Sequence, residues 1–172
     1  MESGIVLCVP ELAPAIDRWR IPTVRSAAFS APVHVTCLYP WHPAPVPPQA
    51  IAELQRSVRG FGVVTLTFRR LATFPSGVLY LLPEPPETVV RLTRRLEAAF
   101  PKYPPYGGQF PDPQPHLTIA EAAPGPQLDA LRAEVDQTLA TILPVTIVID
   151  HITVMEQDTD RRWHQAHQIP LI

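Results

Sequence analysis

The chain has 172 residues, 46% of them hydrophobic and 17% charged, with a formal net charge of −2. This composition can bury a sizeable core and excludes a disordered polyelectrolyte; the slightly negative balance excludes tight non-specific tracking of a long polyanion, which needs many Lys and Arg contacts to phosphate. No apolar run approaches the about 18 residues of a membrane span and no basic, apolar leader opens the chain, so a soluble, cytoplasmic, monomeric protein is expected.

Cys8 and Cys37 are the only cysteines, and both lie in apolar runs, as small core residues of a reducing compartment do. Proline is the outlier at 23 residues, well above the usual share of about 5%, and it falls between periodic segments, where it punctuates the chain.

Taken in order, Gly4 to Val9 reads as a strand stopped by Pro10, and Glu11 to Arg20 as a helix with Leu12, Ile16 and Trp19 on one side and Pro22 just past its end. Thr23 to Ala31 reads as a connection to a short apolar strand, Val33 to Leu38. After a proline-dense loop, Gln49 to Arg59 is predicted helical with Ile51, Leu54 and Val58 inward and Gly60 as its stop. Phe61 to Leu71 and Val78 to Leu82 read as an antiparallel pair joined around Pro75-Ser76-Gly77.

A proline-led helix then runs from Pro85-Pro86 to Phe100, with Val89, Leu92, Leu96 and Ala99 on one stripe. The segment from Pro101 to Pro115 has no periodicity and reads as a binding loop or lid delivering the chain to a second apolar strand, His116 to Ala120. Pro126 leads another helix with Leu128, Leu131, Val135, Leu139 and Ile142 inward, and Val145 to Met155 and Trp163 to Leu171 are predicted as the closing strands.

The chemistry concentrates in the two short strands, His34-Val35-Thr36 and His116-Leu117-Thr118. Strand alternation puts His and Thr on one face of each and the aliphatic residues on the other, so each strand has its back in a core and an imidazole and a hydroxyl facing elsewhere. With 6 His and 13 Thr in the chain, about half a match to this spacing arises by chance, and His151-Ile152-Thr153 supplies a third. Register separates them. Val64-Thr65-Leu66 follows His34 at nearly the distance at which Val145-Thr146-Ile147 follows His116, with a proline-led helix between in each case. The chain therefore reads as an internal duplication, with repeats over roughly residues 4–82 and 83–172 of one domain spanning 1–172; His34 matches His116, and His151 has no partner.

Two such H-x-T strands about 80 residues apart in a duplicated chain resemble the two-histidine (2H) phosphoesterase superfamily, in particular its LigT-like 2′-5′ RNA ligase and cyclic phosphodiesterase families. The residues carrying the likeness are His34-Val35-Thr36-Cys37-Leu38-Tyr39-Pro40, Pro115-His116-Leu117-Thr118-Ile119 and the mid-chain run Val78 to Glu84. The resemblance implies an α+β bilobal fold with two antiparallel sheets facing a central cleft and helices outside. It further implies catalytic roles for His34 and His116, the former giving a proton to the leaving oxygen and the latter taking one from water, with Thr36 and Thr118 holding the phosphate.

The implied function is a metal-independent phosphoesterase, without cofactor, that hydrolyses 2′,3′-cyclic or 2′-5′ phosphodiester bonds of RNA ends or nucleotides. The alternatives are a nucleotide- or RNA-end-binding module without turnover, and a 2′-5′ RNA ligase. Imidazoles with ordinary values near 6.5 can supply both acid and base, which predicts a bell-shaped rate profile with its maximum near neutrality. Among aromatic residues able to stack a base, Tyr39 and Tyr106 are the substrate-binding candidates, beside Trp41, Tyr103 and Phe110. His164 and His167 lack the partners of a zinc site, and no metal site is expected.

Overall fold

The computed structural model describes residues 1–172. Eight strands form two four-stranded sheets, both antiparallel throughout. The first sheet has the order β2-β1-β7-β8, with β1 Ser3–Cys8, β2 His34–Leu38, β7 His151–Gln157 and β8 Trp163–Pro170. The second has the order β5-β4-β3-β6, with β3 Val64–Thr73, β4 Val78–Glu84, β5 Leu117–Glu121 and β6 Val145–Ile149. The helices are α1 Ala13–Thr23, the single turn α2 Arg25–Ala28, α3 Pro48–Val58, α4 Pro86–Ala99 and α5 Pro126–Leu139. The α+β bilobal architecture expected from the sequence is thus present, with each His strand at the edge of its own sheet and adjacent to the other.

The sheets do not coincide with the two halves of the chain. Each takes two strands from before α4 and two from after it. The similar segments Val64-Thr65-Leu66 and Val145-Thr146-Ile147, whose spacing suggested an internal duplication, are neighbours in a single sheet, where Leu66 pairs with Ile147 and the Thr67 and Thr146 hydroxyls meet at 2.9 Å. Helix packing is exchanged as well: α1, which follows β1, lies on β5, and α4, which follows β4, lies on β2. One continuous apolar core containing Ile5, Leu38, Leu54, Phe68, Leu81, Leu96, Ile119 and Val154 therefore runs through both sheets.

Three sequence expectations are corrected. Val145 to Met155 is not one strand: Asp150 separates β6 from β7, which belong to different sheets, and its carbonyl accepts the Leu171 amide at 2.7 Å. An apolar run without Gly or Pro hides such a crossover, because periodicity does not say which sheet a strand joins. Pro22 lies inside α1, in its last turn, where its missing N–H forfeits one bond; the Thr23 hydroxyl donates to the Trp19 carbonyl at 2.6 Å and the Val24 amide to that of Arg20 at 2.8 Å, closing the turn. Helix α5 ends at Leu139, leaving Ile142 exposed; Leu128, Val135 and Leu139 form its buried face.

The turn at Pro75-Ser76-Gly77 joins β3 and β4 as read from the sequence. Gly77 has φ 98°, and a Cβ there would lie 1.9 Å from the carbonyl oxygen of Ala122. Only glycine fits. The same turn places Phe74, whose amide is bonded to the Val78 carbonyl at 2.9 Å, against the imidazole of His116.

Candidate functional site

Edge strands β2 and β5 bring His34, Thr36, His116 and Thr118 to one cavity of about 770 Å³ between the lobes. On each strand the alternation works as expected: Val33, Val35, Leu117 and Ile119 are buried in the core while His and Thr face the cleft. That volume lies in the range of small-ligand sites, about 300–1,000 Å³.

Both imidazoles are held in the same way. His34 Nδ1 is 2.6 Å from the carbonyl oxygen of Pro32, and His116 Nδ1 is 2.8 Å from that of Gln114, each two residues upstream. A carbonyl only accepts, so in each ring Nδ1 carries the hydrogen and the neutral tautomer keeps its lone pair on Nε2. The prolines that precede these strands fix the extended approach from which that carbonyl reaches back. Two imidazoles in one cavity thus each retain a nitrogen free to exchange a proton.

Their surroundings differ. Behind His34 lies Arg20 of α1, almost wholly buried, whose Nη2 donates to the carbonyls of Ala31 at 2.9 Å and Pro32 at 2.5 Å, with Asp17 Oδ1 at 3.5 Å from Nη1. The Pro32 oxygen therefore receives both Arg20 and His34. Burial, with smaller contributions from the charges of Arg20 and His116, depresses the His34 imidazole to about 4 despite the opposing bond to Pro32. His116 sits among aromatic rings: Phe74 and Tyr80 meet it edge-on with centroids at 5.0 and 5.7 Å, and Tyr106 lies nearly parallel at 6.4 Å. Its imidazole is also lowered, by burial, against the bond to Gln114. Both imidazoles are therefore held below the ordinary value, by burial in each case.

Tyr106 links the two motifs. Its phenol interacts with the Thr36 hydroxyl and is pushed up to about 12 by burial, so it stays protonated, while its amide donates to the Tyr39 carbonyl at 2.6 Å. It adopts φ 52°, ψ 34°, a conformation that non-glycine residues rarely take. The loop from Pro101 to Pro115 borders the cleft through this residue; Phe110 packs edge-on to Tyr106 but is itself exposed and off the cavity. Tyr39 also borders the cavity, its hydroxyl donating to Glu2 Oε2 at 2.6 Å. Trp41 and Tyr103 do not: Trp41 is in the core, and Tyr103 packs with His42, with Tyr103 Oη 3.2 Å from His42 Nδ1.

His151 lies outside the cavity, 2.6 Å from Asp150 Oδ1, and His164 and His167 are exposed on β8. No group of three or more His, Cys, Asp or Glu side chains is placed to hold a metal ion. Residues that sequence reasoning missed include Arg20, Phe29 and Trp163, the last edge-on to Tyr39 at 6.1 Å. Arg20 had a signal: it follows Ile16 and Trp19 on the inward stripe of α1, where an unpaired cation would be costly.

Several solved structures share this fold at low sequence identity. Escherichia coli LigT complexed with 3′-AMP is 18% identical, matching 99% of this chain and 97% of that one with a TM-score of 0.60. The protein TT0787 of Thermus thermophilus is 20% identical over 99% and 98% of the two chains, with a TM-score of 0.64. A structure described as a phosphoesterase is 17% identical over 99% and 98%, with a TM-score of 0.58. A comparison with curated protein sequences returns no match. The family profile of the 2′-5′ RNA ligase superfamily matches residues 8–161, a span that includes both H-x-T strands and nearly every element of the fold, and the chain belongs to that superfamily.

Proposed function

We propose that the protein is a phosphoesterase that opens 2′,3′-cyclic or 2′-5′ phosphodiester bonds of nucleotides or RNA ends by acid–base catalysis between His34 and His116. The observation that carries this reading is the paired imidazole arrangement: two rings, each anchored through Nδ1 to a carbonyl, each with Nε2 left for the cavity they share. Water attacking phosphorus loses a proton to one ring as the phosphorus–ribose oxygen bond breaks and that oxygen gains a proton from the other. The product is a ribose phosphate monoester, and the pair is left with its proton on the opposite ring, which solvent exchange resets. Thr36 and Thr118 donate their hydroxyls to the non-bridging oxygens, where charge is held through the transition state. LigT complexed with 3′-AMP supports a nucleotide as the ligand of this fold.

The unequal surroundings support a division of roles. Burial depresses His34 to about 4 and the charge of Arg20 adds to it, whereas His116 is lowered by burial with no neighbouring cation contributing. In the singly protonated pair the proton sits on His116, making it the acid and His34 the base, the reverse of the assignment implied by family resemblance.

The test is turnover of adenosine 2′,3′-cyclic phosphate and a 2′-5′ dinucleotide by the purified protein, with and without excess chelator. Hydrolysis that persists in chelator is expected, because the proposed steps use only imidazoles and hydroxyls. Nucleotide binding without hydrolysis of either substrate would overturn the reading, and loss on chelation with recovery on added metal would overturn the acid–base pair as the source of the chemistry.

A further inference from the structure

Besides the quartet, the cavity has an outer part lined by more exposed residues at the start of α2 and in the turn joining β7 to β8. Two arginines border this outer part, Arg25 and Arg161, and neither meets a carboxylate or any other side-chain partner. In a chain whose net charge is −2, the lining carries three arginines against two glutamates, and one of those, Glu2, is engaged by Tyr39. Arg25 is close enough for its charge to be felt at the Tyr39 phenol. Ser26 and Thr159 add hydroxyl donors beside the two cations.

The backbone that presents Arg161 is fixed. Asp158 Oδ1 accepts the amides of Asp160 and Arg162 at 2.9 and 2.8 Å, and the Arg161 amide donates to the Asp158 carbonyl at 3.0 Å. Arg161 itself is left-handed, φ 62°, as is Ser30 across the mouth, φ 70°. The two loops are tied to each other by the Trp163 amide on the Phe29 carbonyl at 2.8 Å and by Arg162 Nη1 on Ser30 Oγ at 3.2 Å. With Tyr106, these are all the non-glycine residues with positive φ in the chain; Tyr106 and Arg161 line the cleft, and Ser30 lies between its lining residues Phe29 and Ala31. Such conformations are costly and collect where a ligand is clamped.

We infer that Arg25 and Arg161 form a second anion subsite, which holds a further phosphate of the substrate on the 5′ side of the nucleotide whose phosphodiester lies between His34 and His116. The inference rests on the phosphoesterase reading above and narrows its substrate class: the ligand is a nucleotide or RNA end carrying two phosphates, not a nucleoside with the cyclic phosphate alone. Guanidinium groups suit this because each presents several fixed donors to phosphate oxygens, and such charge-assisted bonds are about twice as strong as neutral ones. A cavity of about 770 Å³ has room for a ribose and its 5′ substituent beside the phosphodiester.

The test compares three substrates of the wild-type protein: adenosine 2′,3′-cyclic phosphate, the same compound with a 5′-phosphate, and a dinucleotide ending in a 2′,3′-cyclic phosphate, whose second charge is an internal diester. A preference in kcat/KM of about tenfold to a hundredfold for the phosphorylated substrates is expected, the range that one or two charge-assisted hydrogen bonds supply. The two phosphorylated arms show whether a terminal monoester or the chain diester is the preferred source. In Arg25→Gln and Arg161→Gln the preference should shrink to less than about threefold, whereas Arg94→Gln, remote from the cleft, should keep it.

Equal efficiency on all three substrates, or a preference that survives both substitutions, would overturn the inference while leaving the phosphoesterase reading intact. Calorimetric affinity for adenosine 3′,5′-bisphosphate against 3′-AMP decides the point independently of turnover. Tighter binding of the bisphosphate that vanishes in the two variants supports the subsite even if nothing is hydrolysed, and equal affinities refute it.

Discussion

His34 and His116 occupy equivalent places on two edge strands and make the same bond to a carbonyl two residues back, yet their neighbours have little in common. One ring has a buried guanidinium behind it; the other is ringed by Phe74, Tyr80 and Tyr106. A repeated motif thus gives the two imidazoles one anchoring, while the unrepeated surroundings make their environments unequal. Matched rings in matched environments would share one proton equally, whereas on the proposed reading the burial of His34 and the cation beside it leave that proton on His116.

Removing either ring should have the largest effect. His34→Ala and His116→Ala should each lower turnover by about a hundredfold to ten-thousandfold, the range for a general acid or base, with His151→Ala nearly silent. A substrate whose leaving group is p-nitrophenol needs no acid, so it should restore most of the rate to His116→Ala and little to His34→Ala. Rescue of His34→Ala instead would reverse the assignment, a distinction that rate against pH cannot make, because both assignments give the same bell.

The profile nonetheless sharpens the comparison in another way. The productive state needs one neutral and one charged ring, and both titrate below 6.5, with His34 at about 4. The maximum of kcat/KM, which reports the free enzyme, should therefore lie between about pH 4 and 6.5, falling on both sides. A maximum at or above 7 in kcat/KM would show that the cleft does not lower the pair.

The smallest effect is on stability. An imidazole at about 4 in the folded chain against about 6.5 when unfolded leaves the unfolded state binding more protons between those values, so the contribution is complete above 6.5 and lost as pH falls toward 4. The slope from this group is at most about 1.4 kcal/mol per pH unit. Urea unfolding of wild type and His34→Asn across that window should show a shallower loss in the variant, and parallel curves would mean that His34 is not depressed in the fold.

Much of this was legible in the amino-acid order, for local reasons. Apolar alternation, proline-led helices and Gly77 are short-range signals, and the His–Thr spacing placed four side chains on two faces before any tertiary contact was considered. Of the five aromatic residues near the motifs, only Tyr39 and Tyr106 border the cavity, and their order in the chain did not separate them from Trp41, Tyr103 and Phe110. What stayed hidden depends on contacts between distant segments: the division of Val145 to Met155 at Asp150, the exchange of strands between sheets, and the arrival of Arg20, Arg25 and Arg161 at one cleft from two ends of the chain. Ionisation was hidden for the same reason, since the burial that lowers both imidazoles is made by residues far away in sequence.

The strand exchange has a consequence for how the molecule comes to exist. On its inner side β1 pairs only with β7, and β3 is flanked by β4 and β6, so neither sheet is complete until the segment after α5 has been made. A chain still growing on a ribosome exposes the inner edge of β1, an apolar ladder of unpaired amides and carbonyls, through most of its synthesis. Such long-range pairing is slow and leaves edges open to aggregation. The cleft likewise takes Met155, Gln157, Thr159, Arg161 and Trp163 from the segment that follows Asp150, so its lining is complete only once the chain has reached β8.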